Sequence, residues 1–113
     1  MNIIYTIDIA HPPLRSAEAE AMLDDALRKV HLSPTLHVIK IIHGFGSSGK
    51  GGTLKTLVKN WSYSHRNRIK ASIPGEDVTL FNPGVQELAS AFNLSINEDF
   101  GTLNEGITLL WVK

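Results

Sequence analysis

Two short β-branched runs bracket one amphipathic stretch at the head of this chain, and that order constrains the fold more than any other feature. Residues 2–10 carry Ile3, Ile4, Tyr5, Thr6, Ile7 and Ile9 in partial alternation, which predicts a strand. Pro12 and Pro13 end it, because neither can donate to a ladder. Ala19, Met22, Leu23, Ala26, Leu27 and Val30 then recur at helical spacing. Ser16 is the expected N-cap of that helix. Residues 36–42 form a second apolar run through Leu36, Val38, Ile39, Ile41 and Ile42, as a buried strand requires. Strand, helix and strand in this order imply a crossover connection and a sheet that is at least partly parallel.

The same alternation continues. Leu54, Leu57, Val58 and Trp61 predict a second helix from Thr53 to about His65, with Thr53 as its N-cap. Residues 68–73 read as a third strand, followed by the turn signal Pro74-Gly75. Asn82-Pro83 reads as a cap and first helical position ahead of a short third helix over residues 86–92. Residues 93–106 read as polar loop. Residues 107–112 (Ile107, Thr108, Leu109, Leu110, Trp111, Val112) predict a last strand, apolar on both sides and so central. The expected architecture is α/β, an α+β two-layer arrangement. Its order is β-α-β-α-β-(α)-β, with a mixed, partly parallel sheet and helices packed on it. Residues 1–113 are expected to form one domain.

Composition excludes several classes. The chain has no cysteine, so disulfides, thiolate zinc sites and thiol catalysis are ruled out. No apolar run is long enough to span a bilayer, and no signal segment precedes the first strand, so a cytoplasmic protein without a membrane partner is expected. The formal net charge of zero conceals an asymmetry. Residues 37–70 hold Lys40, Lys50, Lys55, Lys59, Arg66, Arg68 and Lys70 and no acid, whereas both flanks are net acidic. Surfaces normally mix signs, so such a block predicts an anionic partner on one side. The alternative is internal pairing of the basic block with its acidic flanks.

Between the second strand and the second helix lies His43-Gly44-Phe45-Gly46-Ser47-Ser48-Gly49-Lys50-Gly51-Gly52, with five glycines in ten residues. Glycines admit φ > 0, so successive backbone N–H groups can converge on one anion. A following helix N-terminus and Lys50 add positive charge, and phosphate is the natural ligand. Gly44, Gly49 and Lys50 fit the frame of a nucleotide-binding P-loop. Gly51, however, stands where that loop needs a hydroxyl for magnesium.

The run Val38-Ile39-Lys40-Ile41-Ile42-His43-Gly44-Phe45-Gly46, followed by Gly49, Gly51, Gly52, Leu54, Val58 and Trp61, closely resembles the Smr (small MutS-related) domain family. The final segment Asn104-Glu105-Gly106-Ile107-Thr108-Leu109-Leu110-Trp111-Val112-Lys113 is similar to that family's glycine-led last strand. Ile7-Asp8-Ile9 is similar to the start of its L-D-L-H-G motif, but Ala10 and His11 stand where the family has His and Gly. Pro12, Pro13, Leu14 and Arg15 also lengthen the connection to the helix.

The resemblance implies a fold like the C-terminal domain of translation initiation factor three. It also implies DNA or RNA binding and, as in several members, endonuclease activity. A protein- or ribosome-interaction module is the alternative.

On that resemblance, Asp8, His11 and His43 are the candidate catalytic residues. Asp8 would orient water or bind Mg or Mn, and a histidine would shuttle the proton. For His43 the competing role is support of the loop. Gly44, Phe45, Gly46, Gly49, Lys50, Gly51, Gly52, Lys55 and Lys59 are the candidate phosphate or nucleic-acid contacts, with Phe45 placed to stack on an unpaired base. Trp61 and Trp111 fall on core stripes and are expected to pack.

Overall fold

The structure, a computed structural model, describes residues 2–45, 50–100 and 103–113, with residues 50–52, 97 and 98 described as backbone only. Its elements follow the expected order. They are β1 (Ile4–Asp8), α1 (Ser16–Leu32), β2 (Val38–Ile42), α2 (Lys50–Ser64), β3 (Ile69–Pro74), α3 (Pro83–Phe92), α4 (Ile96–Asp99) and β4 (Ile107–Val112). Short 3-10 turns at Arg66–Arg68 and Gly75–Asp77 flank β3.

The four strands form one mixed sheet in the order β1-β2-β4-β3. β1 and β2 are parallel, with Asp8 in register with Ile42. β4 lies between β2 and β3 and is antiparallel to both. Every residue of β4 is buried, as expected for a central strand. Leu110 faces the cluster built by α1 and α2, and Leu109 faces the opposite cluster. Each of these two buried leucines contributes about 1.5–3 kcal/mol of apolar burial.

The sheet is covered on both sides. Ala19, Leu23, Ala26, Leu27 and Val30 of α1 and Leu54, Val58 and Trp61 of α2 pack on one face with Ile39 and Ile41. A second, smaller layer covers the other face, where Val85 and Leu88 of α3 join Phe100, Ile73 and Trp111.

Four local expectations are corrected. Residues 93–106 are not simply polar loop, because α4 forms there and Phe100 is buried, with Leu94, Ile96 and Leu103 packed around it. α1 is capped at Arg15 rather than Ser16. Ser16 is already helical, and the Arg15 backbone N–H donates to the Glu18 carboxylate at 3.3 Å. α2 starts at Lys50, so Gly51, Gly52 and Thr53 lie within the helix and Thr53 is not its cap. Glycine costs a helix about 1 kcal/mol relative to alanine, but propensity is a weak prior that tertiary context overrides. α3 runs from Pro83 rather than from residue 86, with Asn82 and Pro83 in the expected cap and first helical positions and the Asn82 side chain accepting from the Val85 N–H at 3.1 Å.

Gly75 makes a close approach that no other residue could make. A Cβ there would overlap the carbonyl oxygen of Asn104 and crowd that of Ile107, both backbone atoms that cannot swing away. Gly75→Ala is therefore expected to destabilise the protein by about 2–3 kcal/mol, whereas Asn82→Ala should cost about 1 kcal/mol through loss of the cap. Thermal melts check both. An unchanged midpoint for Gly75→Ala would mean that this turn is not wedged against the entry to β4.

Candidate nucleic-acid interface

The first two candidates meet just past the end of β1. Asp8 is the last residue of β1. Its Oδ1 accepts from the backbone N–H groups of Ala10 at 2.8 Å and His11 at 3.1 Å. The ring of His11 turns back so that Nδ1 lies 2.9 Å from Asp8 Oδ2. A carboxylate accepts, so Nδ1 carries a proton, and in the neutral ring Nε2 is the nitrogen with the lone pair. Both side chains reach solvent, at 69% exposure for His11 and 38% for Asp8. Partial desolvation pushes the Asp8 carboxyl up, but the Ala10 N–H, the His11 ring and the His11 N–H together hold it below its ordinary value.

Ala10, at the position of the family histidine, is buried and bridges to Pro13. The imidazole one residue later is the one that meets Asp8.

His43 is elsewhere. Asp8 shares a sheet face with its register partner Ile42, so His43, one residue on, projects from the other face. Its ring is fully buried. Nδ1 lies 2.9 Å from the Gly44 carbonyl, which can only accept, so Nδ1–H donates there. Nε2 then accepts from the Thr108 hydroxyl at 2.8 Å. The backbone N–H groups of His43 and Gly44 both donate to the Gly106 carbonyl, at 2.9 and 3.0 Å. Gly44 turns the chain out of the sheet with φ 82°, a conformation that favours glycine. His43 therefore ties the start of the glycine-rich segment to β4. Both of its nitrogens are occupied.

Beyond Gly44, Phe45 stands 55% exposed with its ring toward solvent. Gly46 and Gly49 lie outside the described residues, as does the side chain of Lys50, whose backbone with that of Gly51 and Gly52 forms the first turn of α2.

The basic block is partly neutralised from within. Lys55 pairs with Glu76 at 2.8 Å and Lys70 with Glu87 at 3.4 Å. Lys55 accordingly holds Glu76 below its ordinary pKa. Lys59, Arg66 and Arg68 remain exposed.

The sequence reading missed one cluster. The Trp61 indole donates to Asp24 at 2.9 Å and stacks on His65, which ties α2 to α1. An acid on the polar side of α1 gave no sign of that partner. Trp61 and Trp111 pack in the core as expected.

Among the described residues no three carboxylates, imidazoles or thiols converge on a metal position. Asp8 brings one carboxylate whose oxygens already receive N–H donors, a poor set for a hard cation that prefers several oxygens.

A βαβ unit with parallel strands, the first ending at Asp8 beside the His11 ring and the second running into the glycine-rich segment, defines an α/β domain. The Smr domain profile matches residues 12–77, more than half of the chain, and the chain belongs to the Smr family. Among solved structures, it is similar to the Smr domain of Thermus thermophilus MutS2. That match has a TM-score of 0.56 at 16% identity and covers 97% of this chain and 96% of that one, a likeness of fold. No curated protein matches. Among the described residues no helix is long and apolar enough to cross a membrane.

Burial lowers the proton affinity of the His43 ring, and nearby Lys55 acts in the same direction, against the Gly44 carbonyl and Glu76. Below about pH 6.5 the unfolded chain binds a proton at this residue that the folded chain refuses. The stability due to His43 is therefore complete above that pH and is lost as pH falls through it. The thermal midpoint should drop on going from about pH 8 to about pH 5.5. In His43→Gln, which keeps a donor and an acceptor but does not titrate, the drop should be shallower. Identical pH profiles would show that His43 is not held neutral.

Proposed function

We propose that this Smr domain binds DNA or RNA at the shared end of β1 and β2 and hydrolyses its phosphodiester bonds with the Asp8–His11 pair. The observation that carries this reading is the solvent-facing pair itself, with Nδ1 of His11 held 2.9 Å from Asp8. Asp8 orients the imidazole. Nε2 of His11 takes a proton from water, the water oxygen forms a bond to phosphorus, and the bond to the leaving sugar oxygen breaks. The imidazolium then returns its proton to that oxygen, giving a phosphomonoester and an alcohol.

The first turn of α2, which opens at Lys50-Gly51-Gly52, supplies the electrostatic seat for the phosphate, because the leading N–H groups of a helix have no intrahelical partner. Phe45 offers a stacking face, and Gly44, Gly46 and Gly49 are proposed as further phosphate contacts. Lys59 extends the cationic surface along α2. Lys55 contributes less, because Glu76 already neutralises it. His43 holds the segment in place and takes no proton from the substrate. No step is routed through Mg or Mn, because Asp8 alone is a thin ligand set.

Plasmid DNA and structured RNA incubated with the protein, with and without Mg or Mn, test the proposal. His11→Ala and Asp8→Asn are each expected to lower cleavage about 100-fold or more while leaving binding within about threefold. Lys50→Ala should weaken binding and flatten its salt dependence by about one unit of slope. Cleavage that survives both His11→Ala and Asp8→Asn would remove the pair from the mechanism. Binding without any cleavage would reduce the domain to a binding module.

A further inference from the structure

We propose that the groove between α2 and the edge strand β3 is a second nucleic-acid contact, shaped for an unpaired strand. The inference rests on the nucleic-acid reading above and extends it to the opposite edge of the sheet from Asp8 and His11, with β2 and β4 lying between. Lys55, Lys59, Tyr63 and Arg66 recur at helical spacing along one side of α2 and its 3-10 continuation. They border two adjoining cavities of about 430 and 490 Å³, which share Lys59 and Ser72. Residues 69–72 of β3 form the opposite wall of the larger one.

Charge selects the kind of occupant. Across both cavities four cations face two carboxylates, Glu76 and Asp77, which lie at one end. Glu76 is engaged by Lys55, and Lys70 is engaged by Glu87 and sits 4.1 Å from the centre of the Trp111 ring. Lys59 has no partner among the described residues. Among the described residues the Arg66 guanidinium donates to the Tyr63 carbonyl alone, at 2.9 Å. The two cations left to meet an anion therefore flank Tyr63.

Tyr63 selects the strand type. Its ring is 65% exposed, on a helix that buries its other aromatic, Trp61. The Arg66 guanidinium lies 4.2 Å from the Tyr63 ring centroid, which steadies the ring and leaves its other face to solvent. A steadied, exposed ring between two cations is the pattern that stacks a base while neighbouring phosphates are neutralised. Every base has a π-face, so such a platform tolerates any sequence. A duplex keeps its bases stacked internally and gains nothing from Tyr63. An acidic extended peptide is the competing occupant. It would use the cations and the β3 edge but not the ring face.

Fluorescence anisotropy at low salt tests the groove, with labelled oligouridine, oligodeoxythymidine and a hairpin duplex as probes. Tyr63→Ala is expected to weaken both single strands about tenfold and to leave the duplex unchanged, while Tyr63→Phe retains the parent affinity. The double charge reversal Lys59→Glu with Arg66→Glu should weaken single strands further and lower their salt slope by about 1.4. These side chains are exposed, and thermal melts confirm that each variant folds.

Single-strand affinity untouched by all three groove substitutions, alongside a loss in Lys50→Ala, would overturn the groove and leave the proposed function standing. A parent protein that binds none of the probes would overturn both. Polyglutamate that displaces oligouridine and binds Tyr63→Ala as tightly as the parent would reassign the groove to an acidic peptide and overturn the proposal.

Discussion

The placement of β4 is the constraint on which the rest of this molecule depends. The last strand of the chain inserts between the second and third and pairs antiparallel with both. Without it β1 and β2 would be an isolated parallel pair, and β3 would have no neighbour in the sheet. Its residues alternate between two apolar clusters, so one strand supplies the floor of both layers. The same strand reaches into the candidate site. Thr108 holds the His43 ring, and Gly106, just ahead of β4, receives the backbone N–H groups of His43 and Gly44. Sheet closure and the exit of the glycine-rich segment are therefore one event, and Gly75 packed against residues 104–107 ties the β3 side into it.

Much of this was legible in the sequence, for identifiable reasons. Elements with long stripes or β-branched runs were readable because periodicity reports burial directly. The centrality of β4 followed from its being apolar at successive positions. What could not be read depended on tertiary context. Lys50-Gly51-Gly52 is a poor helix by propensity and is helical nonetheless. α4 is a four-residue element, too short for a period to show, and the signal available was Phe100 and Leu103 standing in a polar stretch. At the site, residue type identified Asp8, His11 and His43, but not which histidine meets the carboxylate. Register decides that, because Asp8 aligns with Ile42 and puts His43 on the other face.

The charge pattern divides in the same way. A block of seven bases without an acid looks uniform along the chain. Folding brings Glu76 onto Lys55 and Glu87 onto Lys70, so two cations are neutralised by residues 21 and 17 positions further on. Internal pairing, the alternative reading of the block, is realised at Lys55 and Lys70. The Lys55–Glu76 pair joins α2 to the turn after β3 and the Lys70–Glu87 pair joins β3 to α3, while Lys59 and Arg66 stay exposed on α2 and the turn after it. Exposed pairs of this kind contribute little to stability, so their main effect is to shape where positive potential remains.

The two histidines show how burial separates roles that residue type leaves open. An imidazole that moves protons needs one nitrogen fixed and the other free. His43 has both nitrogens engaged in a fully buried position, and burial disfavours its charged form. Its value is rigidity, because a neutral ring of one tautomer joins the Gly44 carbonyl to Thr108 and sets the direction in which the segment leaves the sheet. His11 has Nδ1 fixed by Asp8 and Nε2 in solvent. The longer connection through Pro12, Pro13 and Leu14 makes this possible. Ala10 fills the buried position, and the chain turns so that the next residue's ring folds back over the carboxylate. Where the family motif has histidine this chain buries Ala10, and the imidazole that lies against Asp8 comes from the next residue.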